Sequence, residues 1–211
     1  EWPRLPQVVL VGREDWHPAA AQFAEFGGSQ DITASIWLAW DNQALYLALE
    51  VRDDKLVRVR SPAEIDRGDS LVLSFFERGA GEVNQFVVAL LKSASLVWRA
   101  APAAAAGEVK TIGRALWARP EEEGGTLVTY ELAIPWAEIQ PIMPLAGREL
   151  LVVVSACDDD GEGLEGCLER AVSVALSGGG IGAGRPSAEA ARPPALPPIF
   201  LAPEEARFDQ R

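Results

Sequence analysis

A two-residue beat in the apolar side chains governs how this chain can fold. In ASIWLAWDNQALYLALEVRD, residues 34–53, Ile36, Leu38 and Trp40 alternate with other neighbours. After Asp41-Asn42 the beat resumes at Leu45, Leu47, Leu49 and Val51. Successive side chains of an extended strand point to opposite faces, so period two describes a sheet with one face buried. Asp-Asn is turn material, and the stretch reads as a hairpin. The beat recurs in DSLVLSFFE (69–77), where Leu71, Leu73 and Phe75 share a side, and in its hairpin mate VNQFVVALL (83–91). SLVWRA (95–100), VKTIGRALWA (109–118), TLVTYELAI (126–134), ELLVVVSACD (149–158) and ERAVSVAL (169–176) extend the set to about ten strands.

Helical signals are short. PAAAQFAEF (18–26) reads as a short helix or an irregular cover, and APAAAAG (101–107) has room for little more than a turn between Pro102 and Gly107. In YELAIPWAEI, Pro135 ends a strand by removing a donor and suits the first position of the turn that carries Trp136 and Ile139 over one end of the core. No strand–helix–strand rhythm supports a parallel α/β fold. The expectation is all-β: a jelly-roll-like sandwich of two antiparallel sheets with short helical turns. No composition break divides residues 1–211, which read as one domain with a Gly/Pro-rich segment at about 177–211. Six prolines and five glycines there exclude a regular element, although Ile199-Phe200-Leu201 is apolar enough to dock back as an edge or clasp and the glycines suit a mobile stretch.

A chain of 211 residues can bury about 70% of its extended surface without disulfide support. No apolar run reaches the roughly 18 residues of a membrane span, and none reads as a leader peptide. The net charge is 19 − 31 = −12, and it is local: residues 121–169 hold twelve acids against Arg148, whereas the remainder is nearly balanced. A basic stripe with interleaved aromatics is absent, which excludes nucleic acid as a partner. Enzymatic constellations are poor. His17 is the only histidine, GGGIGAG lacks the strand–helix setting and the lysine of a phosphate loop, and no GxSxG occurs. The chain does not read as an enzyme.

Cys157 and Cys167 flank DDDGEGLEG, and three states stay open for them: a loop-closing disulfide in an oxidising compartment, two free buried thiols, or metal ligands. Asp158, Asp159, Asp160 and Glu162 put hard oxygen ligands close together in a loop, which suits a structural calcium ion as well as a solvated hairpin turn. Trp37 and Trp40 stand an odd number of residues apart in one strand, so a regular strand turns one of them outward. Exposed tryptophans on a sandwich make platforms for the apolar faces of sugar rings. Trp98 beside Arg99 adds a fork of N–H donors for hydroxyl groups, and Trp98, Arg99 and Trp37 are the candidate ligand residues.

GREDWHPA (12–19), LAWDNQALYLALEVRDD (38–54), RGDSLVLSF (67–75), NQFVV (84–88), YELAIPWAEI (130–139) and VVVSACDDD (152–160) together resemble a family 9 carbohydrate-binding module, within the wider sandwich superfamily that includes DOMON-type domains. The resemblance implies a β-sandwich with structural calcium. It also implies a partner polysaccharide of glucan or xylan type, clamped at a chain end by two tryptophans, and a module joined to a larger extracellular, cell-surface or periplasmic protein. Trp40, Asp41, Tyr46, Asp69, Glu131, Pro135 and Trp136 match its scaffold. The clamp positions differ: SPAEIDRGDS carries Ile65 and Asp66 where one tryptophan is expected, and residues 177–211 contain none. A second reading is therefore a structural sandwich that interacts with a cell-surface protein and has lost the sugar clamp. Haem binding through Met143 with His17, Lys92 or Lys110 is a minor one, and haem is not expected as a cofactor.

Overall fold

The computed structural model describes residues 8–19, 25–65, 67–77, 83–122, 124–145, 148–176 and 182–183. Two antiparallel sheets face each other. The first contains β1 (Val8–Leu10), β3 (Ile32–Trp40), β4 (Ala44–Asp53), β10 (Thr126–Pro135) and β9 (Gly113–Pro120), in that spatial order, with β13 (Gly182–Ala183) also on β3. The second runs β2 (Trp16–Pro18), β12 (Gly166–Leu176), β11 (Arg148–Asp158), β5 (Ser70–Glu77), β6 (Asn84–Leu90), β7 (Ser95–Ala101) and β8 (Gly107–Glu108). Helical structure among the described residues is limited to 3-10 turns.

The two-residue beat becomes the core. Ile32, Ala34, Ile36, Leu38 and Trp40 are buried on β3, with half-buried residues between them. Val128, Tyr130, Leu132 and Ile134 do the same on β10, and Leu71, Leu73 and Phe75 on β5 meet them from the other layer. Each fully buried Leu, Ile or Phe stabilises the sandwich by about 2 kcal/mol in transfer terms. The 34–53 hairpin forms as expected, in the register Trp40↔Leu45. Its turn is held by Asp41, whose Oδ1 accepts the Gln43 and Ala44 amides at 2.7 and 2.9 Å and whose Oδ2 accepts the Tyr46 hydroxyl at 3.0 Å. At the corner, Trp136 and Ile139 are buried, and Trp136 Nε1 donates to the Asp41 carbonyl at 2.9 Å.

Some elements differ from the sequence reading. The stretch 109–118 becomes strand only from Gly113, because Val109 and Ile112 are drawn into the core ahead of it. The last long strand starts at Gly166 rather than 169, since Cys157 and Cys167 pair in register and are joined by a disulfide. Of the three states open for the cysteines, the bridge is the one present. Residues 20–24 of PAAAQFAEF, and Ile199-Phe200-Leu201 with most of the Gly/Pro-rich segment, lie outside the described residues.

Candidate functional site

Alternation leaves polar residues at strand ends, and antiparallel pairing gathers several of those ends at one pole of the sandwich. Asp31 precedes β3, Asp53 closes β4, Asp69 precedes β5, and Asp158 closes β11. Ile32 pairs with Asp53 across the first sheet, and Cys157 pairs with Ser70 across the second. Two carboxylate groups result. Asp53, Asp69 and Asp158 are buried, with one oxygen from each lying within 4.8 Å of the others. Asp31, Asp54 and Asp160 form a second, more open group on the same criterion.

Their hydrogen bonds are incomplete. Asp69 Oδ2 accepts the Val57 amide at 2.5 Å and its Oδ1 accepts the Asp159 amide at 2.9 Å. Asp53 Oδ1 accepts the Lys55 amide at 2.7 Å. Both oxygens of Asp158 and Oδ1 of Asp160 are buried with no hydrogen-bond partner among the described residues. Burial first, then the neighbouring carboxylates, pushes Asp69 up to about 9 and Asp158 up to about 8. Burial likewise raises Asp53, Asp31 and Asp54 above the usual carboxylate range. A protein pays this cost rarely, and hard oxygen donors with free lone pairs fit a bound cation. Asp53, Asp69 and Asp158 would hold one, with Asp31, Asp54 and Asp160 able to hold a second; the ligands come from both sheets, so a dication would tie the layers together.

Of the four metal residues expected from sequence, Asp158 and Asp160 enter these groups, one in each. Asp159 turns its carboxylate to backbone amides, of Gly68 at 3.0 Å, Gly161 at 2.7 Å and Gly163 at 3.2 Å. Glu162 is exposed and belongs to neither group. Sequence reading missed Asp31, Asp53, Asp54 and Asp69 as partners. Their signal is visible afterwards: an aspartate at one end of each of four alternating strands, β3, β4, β5 and β11.

The candidate ligand residues do not form one surface. Trp98 is half-buried on the outer face of the second sheet, between Val87 and Glu108 in register. Arg99, its neighbour, points the other way. Its guanidinium lies 4.7 Å over the core Phe86 ring, donates to the Glu138 carbonyl at 2.8 Å and to Asn84 Oδ1 at 3.4 Å, and pairs with Glu138 Oε2 at 2.5 Å. Trp37 stands half-buried on the outer face of the first sheet, while Trp40 is in the core. That face also carries Trp117, which is 45% exposed. Register places Trp117, Thr129, Glu50, Ser35 and Val9 in one row across the strands, and Ala115, Glu131, Ala48 and Trp37 in the next. Trp117 does not stand out in the sequence because GRALWARP places apolar residues and an arginine at both its outward and its inward positions.

No family model matches the chain, so none of an enzyme family does, and no curated protein matches it in sequence. Solved structures are similar to it. One is a protein of Bacteroides uniformis provisionally described as carbohydrate-binding, with 9% identity and a TM-score of 0.49, covering 78% of this chain and 77% of its own. Two are family 9 carbohydrate-binding modules of Caldicellulosiruptor kristjanssonii. The structure in complex with cellotriose has 15% identity and a TM-score of 0.46 and covers 80% of this chain and 71% of its own. The glucose complex has 15% identity and a TM-score of 0.45 and covers 73% and 72%.

Proposed function

We propose that residues 1–211 form one non-catalytic carbohydrate-binding module of an exported or cell-surface protein, and that it lays a glucan- or xylan-type polysaccharide, or its chain end, on the outer face of the first sheet. Trp117 carries this reading: a large indole, 45% exposed, in a row with the polar side chains of Thr129, Glu50 and Ser35. Indole faces take the C–H face of a pyranose, and carboxylates and hydroxyls beside them bond its hydroxyl groups. Trp37 lies three strands away, about 14 Å at ordinary strand spacing. The platform is therefore long enough for an oligosaccharide lying across the strands.

The unpartnered Asp158 oxygens support a structural calcium ion at the acidic pole. The Cys157–Cys167 bridge suits an oxidising compartment, which favours an extracellular or periplasmic setting. No described helix is long and apolar enough to cross a membrane.

A panel of soluble glucans and xylans in affinity electrophoresis tests the reading. Retardation by one of them is expected, and Trp117→Ala should weaken binding by more than about 1 kcal/mol, as for an aromatic anchor. Silence across the panel, with calcium present, would favour the protein-interacting sandwich instead.

A further inference from the structure

Beside the acidic pole, and apart from the Trp117 face, lies a cleft of about 470 Å³ between the segment 57–67 and the turn at 161–163. It brings three arginines next to this acidic pole. Arg58, Arg60 and Arg67 line it, together with Glu64, Asp159 and Glu162. Opposite charges share the cleft, yet among the described residues no ion pair joins them. Arg58 gives one N–H to the Leu91 carbonyl at 3.3 Å, while the Arg60 and Arg67 side chains, both exposed, have no partner among the described residues. Asp159 is spent on the amides of Gly68, Gly161 and Gly163. The unengaged groups are thus the guanidinium forks and the two glutamates.

The backbone beside these groups is tied down at several points. Asp69 ties the Val57 and Asp159 amides together, and Val59 bridges Leu91. Gly68, at φ +120°, lets the chain pass where a Cβ would meet the Val57 carbonyl at 2.6 Å. This frame fixes the backbone on both sides of the cleft, while the exposed Arg60, Arg67 and Glu162 side chains reach from it toward solvent.

We infer that this cleft binds a sugar acid, with its carboxylate on Arg60 and Arg67 and its hydroxyls donating to Glu64 and Glu162. A planar guanidinium matches a carboxylate through two parallel N–H···O bonds, and the free glutamates need donors that a simple carboxylate lacks. Highly charged ligands are disfavoured by the same surroundings: the chain carries −12, and two carboxylate groups stand at this pole. One negative charge on a polyhydroxylated ring satisfies both demands. This site does not depend on the Trp117 platform.

The test is an NMR titration of the calcium-loaded chain with methyl glucuronoside, methyl glucoside and inorganic phosphate. The glucuronoside should bind at least about tenfold more tightly than the glucoside, as a charge-assisted pair requires. Arg60→Ala with Arg67→Ala should remove that difference with an unchanged thermal midpoint, Arg60→Lys with Arg67→Lys should restore it only in part, and Trp117→Ala should leave it intact. Equal binding of glucuronoside and glucoside, an arginine variant that binds like the parent, or phosphate binding at least as tightly as the glucuronoside would each overturn the inference. Loss of glucuronoside binding in Trp117→Ala would overturn it too, while leaving the platform reading standing. Loss of neutral glycan binding alone in that variant supports both.

Discussion

Arg99 and Arg67 are the same side chain in opposite circumstances. At the Trp136 corner, Arg99 has an aromatic face beneath it and oxygens of Asn84 and Glu138 around it. In the cleft, the Arg67 side chain has none of these. The aspartates divide in the same way. Asp41 is satisfied by Gln43, Ala44 and Tyr46, and those backbone bonds hold its carboxyl below the usual range. Asp158 is buried among other acids with neither oxygen partnered, and burial pushes it up to about 8. Arg99 and Asp41 are held by partners inside the fold, Arg67 faces solvent, and Asp158 is buried without a hydrogen-bond partner among the described residues. The corner and the acidic pole should therefore respond oppositely to mutation.

The largest effect belongs to the corner. Arg99→Ala leaves Glu138 without its cation and uncovers Phe86, and should cost about 3 kcal/mol in a urea denaturation series. Arg67→Ala in the same series should stay within about 0.5 kcal/mol. Similar losses from both would erase the contrast.

At the acidic pole, charge removal should help. Calcium at about a hundredfold over its Kd should add roughly 2.7 kcal/mol to the parent protein. Asp158→Asn should lose most of that gain, yet melt higher than the parent once both are chelated. A parent midpoint unmoved by chelator would remove the cation from the account. The pH dependence has a definite sign. Asp158 and Asp69 hold protons up to about 8 and about 9 in the fold, whereas an unfolded aspartate releases its proton near 3.8. Between these values the folded chain binds more protons, so the ion-free protein should lose stability as pH rises from about 4 through 9. Calcium replaces those protons, and its affinity should climb over the same window.

The disulfide effect is smaller. Replacing both Cys157 and Cys167 by Ser should cost about 2 kcal/mol, somewhat below the loop-entropy value because strand pairing already aligns the two ends. A denaturation midpoint indifferent to reductant would contradict this. The smallest effect on stability is expected at Trp117, where alanine should change it by less than about 0.5 kcal/mol while reducing glycan binding.

The strands were legible because each one repeats a local rule many times: β3, β4 and β10 show their core face in sequence order. Short edges such as β1 and β2 carry three residues each, too few to establish a period. The carboxylate groups were half legible. Asp158 and Asp160 stand out as a run, but Asp31, Asp53 and Asp69 meet them only through pairing across both sheets. Trp98 and Arg99 show the limit of adjacency: neighbours in a strand face opposite ways, so a sequence pair is seldom a spatial pair. The cleft arginines were not singled out at all, because what distinguishes them is the partner each lacks.

On this reading, the outer face of the first sheet receives the glycan. Indole N–H resonances of the tryptophans, followed by NMR during titration with a glycan that the domain retards, test it most directly. The signals of Trp117 and Trp37 should move, and those of buried Trp40 and Trp136 should stay. Movement confined to Trp98, or no movement in any indole at saturating glycan, would place the glycan elsewhere than on this face.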